Sequence, residues 1–377
     1  MLVPMGSADA PLPDLLPAAL AYEPWSARVL TGIGAAVDGS VLRAMQLVVE
    51  RALIPNPENV SALRESARAM LDPELQRDPA RFFAYPEPEP EPGDVELSAR
   101  VLRRIEGGTV RECRIQSAYQ PWLGAPAAAD GSPILFEHWR HAAGRARGSV
   151  VALHGFTMGR PRFDAFALFA SQWFRRGLDV ALVTLPYHGV RTPQGARFSG
   201  EHFAVPDVAR LSEAVREAIW EIRLVTQRLR QESGRPVGLL GLSLGGYLTA
   251  LAAALFDDLD FAIPMVPPVC IGDLAWGFFE QTRHARAGGE AALSRAELRR
   301  SFRVHSPLAH PLRTPRERVL IVAGRGDRIV PPTHPSALWS HWGEPAIHWF
   351  SGSHLAPFGR GRIVNAISRH LASLGVL

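Results

Sequence analysis

The sequence predicts an α/β fold: a mostly parallel sheet flanked by helices, with an N-terminal helical extension and a cap insertion. The first observation is a series of short apolar runs at 149–153, 180–185, 237–242, 261–265, 319–323 and 347–350. The second is that amphipathic stretches separate most of them, the longest from about residue 206 to 232. Runs of that length suit strands buried on both faces, and their alternation with helices predicts parallel pairing.

Taken in chain order, residues 1–93 form an extension with no strand pattern, unlike the rest of the chain. Apolar residues at helical spacing predict helices over 38–53 and 59–71, with Asp38 and either Asn59 or Ser61 as N-caps. The alternating Pro and Glu of 86–93 cannot form a helix or a central strand, so this stretch reads as an extended spacer. The catalytic domain is placed at 94–377. It begins with a short helix over 95–105, then two antiparallel strands at 110–119 and 133–140 around a Gly- and Ala-rich turn. After them comes the strand and helix alternation, ending in a helix over about 360–374. An insertion at about 267–315 carries Trp276, Phe278 and Phe279, then a basic helical stretch over 294–303.

Composition narrows the function classes. The chain has 377 residues, 47% hydrophobic and 21% charged, which is the profile of a folded globular protein. Its 41 basic residues against 37 acidic ones leave a net charge of +4, and all of the basic side chains are arginine. They are dispersed among acids and not gathered on one face, which argues against a nucleic-acid partner; the missing lysine reads as codon bias. Cys113 and Cys270 are too few for a disulfide framework or a four-cysteine zinc site. No metal or organic cofactor is expected. The start of the chain lacks the charged and apolar pattern of a signal peptide, so a cytoplasmic location is expected. The uncharged stretch 236–256 is long enough to suggest a membrane span of ~18–20 residues, but Gly241, Ser243, Gly245 and Gly246 divide it into a strand and a helix. No integral span is expected.

That division is also where the chemistry lies. Gly241-Leu242-Ser243-Leu244-Gly245 follows a predicted strand and opens a predicted helix. A serine on so sharp a turn is held clear of the sheet, and the glycines two residues to either side remove the side chains that would collide. A serine hydroxyl needs a base, and the base needs an orienting acid. Asp327 follows the strand 319–323, and His354 follows the last strand, so each leaves the sheet on its own loop at the edge where Ser243 emerges. The loop Leu153-His154-Gly155-Phe156 adds a fourth element: the N–H groups of Phe156 and Leu244 are placed to form an oxyanion hole. His154 reads as loop packing.

Together these residues resemble the alpha/beta-hydrolase superfamily over roughly residues 100–377. Within it, Leu185-Pro186-Tyr187-His188-Gly189 with Arg191, Pro193, Pro206 and Asp207 looks like the group around alpha/beta-hydrolase domain-containing protein 18. The resemblance implies a serine hydrolase with nucleophile Ser243, acid Asp327 and base His354. It supplies no substrate. The expected reaction is cleavage of a small-molecule carboxylic ester through an acyl-enzyme. An amide, a thioester or a carbon–carbon bond stays open as the alternative, as does an idle fold used for binding. Tyr187, Trp276 and Phe279 are candidates for the substrate pocket, the last two as part of a lid. The N-terminal helices could cover the site or join two copies in a homodimer; the sequence does not choose.

Overall fold

A computed structural model describes residues 25–53, 57–84, 97–117, 119–123, 132–142, 144–203, 207–281 and 293–377. The expected spacer at 86–93, most of the turn before residue 132 and the middle of the insertion lie outside them. A nine-stranded sheet forms the centre, in the order β1-β2-β3-β5-β4-β6-β7-β8-β9. The strands are β1 (Leu97–Ile105), β2 (Gly108–Ile115), β3 (Ile134–His141), β4 (Gly148–Leu153), β5 (Leu178–Thr184), β6 (Val237–Leu242), β7 (Ala262–Met265), β8 (Leu320–Gly324) and β9 (Ala346–Phe350). From β5 to β9 all neighbours are parallel, and β1, β2 and β3 add an antiparallel edge.

Side-chain alternation explains why the middles of the central strands are apolar. Val151 and Leu153 of β4 face one core with Ala181 and Val183 of β5. Val150, Ala152, Val180 and Leu182 face the other. With both faces covered, 150–153 and 180–183 are apolar throughout, and the polar Ser149, Asp179 and Thr184 stand towards the strand ends. The first core is closed by α6 (Val208–Ser233), α7 (Leu244–Leu255) and α10 (Thr333–His341). The second is closed by α5 (Ala170–Arg175), which follows α4 (Pro161–Ala167), and by α11 (Arg360–Ser373).

The N-terminal helices are α1 (Trp25–Leu53), α2 (Pro57–Met70) and α3 (Pro73–Arg77). Ala67, Met70, Leu75, Phe82 and Phe83 are buried in the same core as α6 and α7. Arg216 of α6 ties this segment down, donating to the carbonyls of Phe82 at 2.5 Å and Ala84 at 3.1 Å.

Three sequence expectations are corrected. Residues 97–105 form strand β1, not a helix, although their apolar spacing is helical. Glu106 and Gly107 make a tight hairpin turn with Gly107 at φ 80°, and β1 pairs along β2 from Leu97 with Ile115 to Ile105 with Gly108. Sheet pairing overrides the local pattern, and arginines blunt the exposed edge. Asp38 is no N-cap, because α1 starts at Trp25 and Asp38 lies within it, fully buried. Asn59 and Ser61 are likewise inside α2, which opens at Pro57, a residue suited to the first helical position.

Candidate active site

Ser243 sits between β6 and α7 with φ 57° and ψ −112°. A non-glycine residue rarely takes a positive φ, and holding it there costs about 1–3 kcal/mol. The surroundings enforce it. A Cβ at Gly241 would strike the Gly245 carbonyl and the Thr249 hydroxyl, and one at Gly245 would strike the Leu153 carbonyl. Only glycines let β6, α7 and the end of β4 approach this closely. The Ser243 N–H donates to the Met265 carbonyl at 2.9 Å, and its own carbonyl accepts from Tyr247 at 2.8 Å. These bonds pin the turn at both ends.

Three loops bring their residues to one place. His354, after β9, has Nδ1 2.7 Å from Asp327 Oδ2 and Nε2 2.8 Å from Ser243 Oγ. Asp327, after β8, is oriented by the N–H groups of Ile329 at 3.0 Å and Val330 at 2.7 Å, both donating to Oδ1. That leaves Oδ2 to accept from Nδ1–H. Nε2 is then the acceptor for the serine hydroxyl.

The electrostatics follow from burial and pairing. Burial alone would push the His354 pKa down, but the Asp327 and Asp38 carboxylates outweigh it and hold His354 above the ordinary histidine range. Burial raises Asp327, with the His354 contact opposing part of the effect. Two carboxylates thus favour the charged ring, Asp327 through its hydrogen bond and Asp38 through its charge.

Leu244 is the first residue of α7, so its N–H has no carbonyl within the helix to bond and points outward at the positive end of the helix dipole. Gly155 brings the other loop in close: a Cβ there would be 3.5 Å from the Ser243 Cβ. Phe156 follows directly. His154 is buried, takes the Leu185 N–H on Nε2 at 3.1 Å and lies 2.9 Å from the Gly155 carbonyl through Nδ1. Burial lowers its pKa to about 3, so it stays neutral.

Tyr187 is buried with φ 63° and stacks on His202 at 5.9 Å. Trp276 and Phe279 lie half-buried on α8 (Ile271–Glu280), with ring centroids 5.4 Å apart. Asp273 joins α8 to α9 (Arg295–Ser301) through Arg295 at 2.7 Å and Arg299 at 2.8 Å. α8 packs against α1, the helix that also touches the His354 loop. The loop after β5 is locked by Arg191, whose fork meets Glu221 at 2.7 and 2.6 Å in the interior.

Asp38 is not among the site residues that the sequence suggests, and its carboxylate bonds the loops that carry Asp327 and His354. A signal for it exists: apart from Arg28, it is the lone charge between Trp25 and Leu42.

No family model matches the chain. The uncharacterized protein Rv2627c of Mycobacterium tuberculosis is 31% identical over 311 residues, covering 79% of this chain and 71% of its own length. Among solved structures, an acetyl xylan esterase from a Paenibacillus species superposes with a TM-score of 0.53 at 14% identity, over 79% of this chain and 93% of its own. Acetyl xylan esterase 1 from a Thermoanaerobacterium species gives 0.53 at 14% identity, over 85% and 98%. At that identity the likeness concerns the fold, which is the alpha/beta-hydrolase fold.

Proposed function

The chain belongs to the family of the uncharacterized Mycobacterium tuberculosis protein Rv2627c, and on that premise we propose that it is a serine hydrolase that cleaves a carboxylic ester through an acyl-enzyme. The observation that carries the reading is the continuous relay from Asp327 through His354 to Ser243, with both bonds under 3 Å. The two structural neighbours are esterases, which points the same way.

Ser243 Oγ attacks the acyl carbonyl as its proton passes to His354 Nε2. Asp327 stabilises the imidazolium and keeps its ring in place. The N–H groups of Phe156 and Leu244 receive the negative oxygen, each such donor being worth roughly 3–4 kcal/mol in the transition state. The C–O bond to the leaving group breaks, and His354 returns the proton to the departing alkoxide. Water then adds to the acyl-enzyme, again giving its proton to His354, and the carboxylic acid leaves as Ser243 is restored.

Residues 94–377 form the catalytic domain in this reading, with 267–315 as its cap and 1–93 as the extension. Trp276 and Phe279, on the helix beside α1, supply apolar surface for the acyl chain. Tyr187 shapes the pocket wall from within its loop. The run from Leu185 to Pro193, with Arg191 locked in the interior, supports kinship with the group around alpha/beta-hydrolase domain-containing protein 18.

A panel of nitrophenyl esters of graded acyl length, set beside matching thioesters and anilides, tests this. Ester turnover that is lost in His354→Ala is expected. Turnover of the anilides or thioesters alone would replace the ester reading.

A further inference from the structure

The carboxylate of Asp38 is fully buried and collects four hydrogen bonds, all from the two loops that carry Asp327 and His354. Oδ1 accepts from Ser353 Oγ at 2.8 Å and from the Leu355 N–H at 3.1 Å. Oδ2 accepts from the His354 N–H at 3.0 Å and from the Arg328 N–H at 3.0 Å. One side chain on α1 thus holds the residue after the acid and the base itself.

The same face of α1 is fitted to these loops elsewhere. Thr31 Oγ1 accepts from the Gly352 N–H at 3.4 Å. A Cβ on Gly34 would lie 2.8 Å from the Ser353 nitrogen, and one on Gly326 would lie 2.7 Å from the Thr31 carbonyl oxygen. Thr31, Gly34 and Asp38 recur at helical spacing, so a single stripe of α1 meets both loops. The loops also meet each other, the Gly326 N–H donating to the Gly352 carbonyl at 2.8 Å.

We infer that Asp38 is a positioning residue of the triad, and that α1 acts as a strap fixing the Asp327 loop and the His354 loop at the separation the relay requires. This rests on the serine hydrolase reading above. The bond between Asp327 and His354 spans two loops, and a displacement near 1 Å costs about a hundredfold in rate. Asp38 acts through distance and also through charge. The His354 ring bonds Asp327 and Ser243, while Asp38 accepts the backbone N–H of the same residue, so its charge acts on the ring from beside it as a second carboxylate favouring the imidazolium. An amide in its place would present an NH2 to N–H donors and could not accept all four bonds.

The test uses Asp38→Asn and Asp38→Ala in the full chain. His354 is followed by imidazole NMR titration, its signal identified by its loss in His354→Gln, alongside kcat, KM and thermal unfolding. In Asp38→Asn the His354 midpoint is expected to fall and kcat to drop about tenfold to a hundredfold with KM close to the parent value. An unchanged midpoint and kcat in a folded variant would overturn the inference. So would a lowered Tm with midpoint and kcat both unchanged, which is what a merely structural contact gives. Should neither variant fold, Ser353→Ala removes one of the four bonds and keeps the charge; a several-fold fall in kcat supports the strap, and an unaltered kcat refutes it. The titration needs no turnover. If the parent protein shows no Ser243 reactivity, the hydrolase reading fails while the effect of Asp38 on His354 is still measured.

Discussion

His354 Nε2 lies 2.8 Å from Ser243 Oγ across 111 residues of sequence. The contact depends on strand order, since Ser243 follows β6 and His354 follows β9, and parallel strands deliver both to the same edge.

The pH dependence follows from the charges on His354. In the proposed reaction it must be neutral to take the serine proton, and the Asp327 and Asp38 carboxylates hold its pKa above the usual value of about 6.5. The acid limb of kcat/KM should therefore have its midpoint above that value, with activity lost as pH falls through it. A profile of ester hydrolysis from pH 5 to 9 checks this.

Asp327→Asn should lower kcat by about ten-thousandfold without unfolding the protein, because the amide favours the wrong imidazole tautomer. Steady-state kinetics with circular dichroism as a folding control would decide it. A rate within threefold of the parent would remove Asp327 from the acid role.

How far the sequence leads can be judged residue by residue. Ser243, Asp327 and His354 are legible because each follows an apolar strand and stands beside glycines, which are local signals. The central strands are legible because burial on both faces leaves a continuous apolar run. β1 is not, since a strand at an exposed edge carries a pattern set by its partner, and Leu97, Val101 and Ile105 happen to repeat at helical intervals. Asp38 reads as a helix cap in the sequence because its partners Arg328, Ser353, His354 and Leu355 are distant along the chain. Local pattern cannot reveal a bond whose other half lies on another loop.

Gly245→Ala should destabilise the fold by about 3 kcal/mol or more, since the added Cβ would run into the Leu153 carbonyl of β4 and backbone cannot easily give way. Urea unfolding measures the change. Gly277→Ala on α8, where a Cβ meets nothing within 4 Å, is the control and should not destabilise.

Arg191→Ala should cost about 3–5 kcal/mol, because it removes the guanidinium that pairs with the Glu221 carboxylate in the interior. Arg191→Lys should recover part of this, as one ammonium cannot reproduce the two-pronged contact with Glu221. Unfolding midpoints of the three proteins test the order.

In the proposed mechanism Ser243 is an activated nucleophile. Intact-protein mass spectrometry after exposure to a fluorophosphonate tests it most directly. One adduct per chain is expected, mapped to Ser243, absent from Ser243→Ala and slowed in His354→Ala. A folded parent protein that forms no adduct, or an adduct that persists in Ser243→Ala, would contradict it.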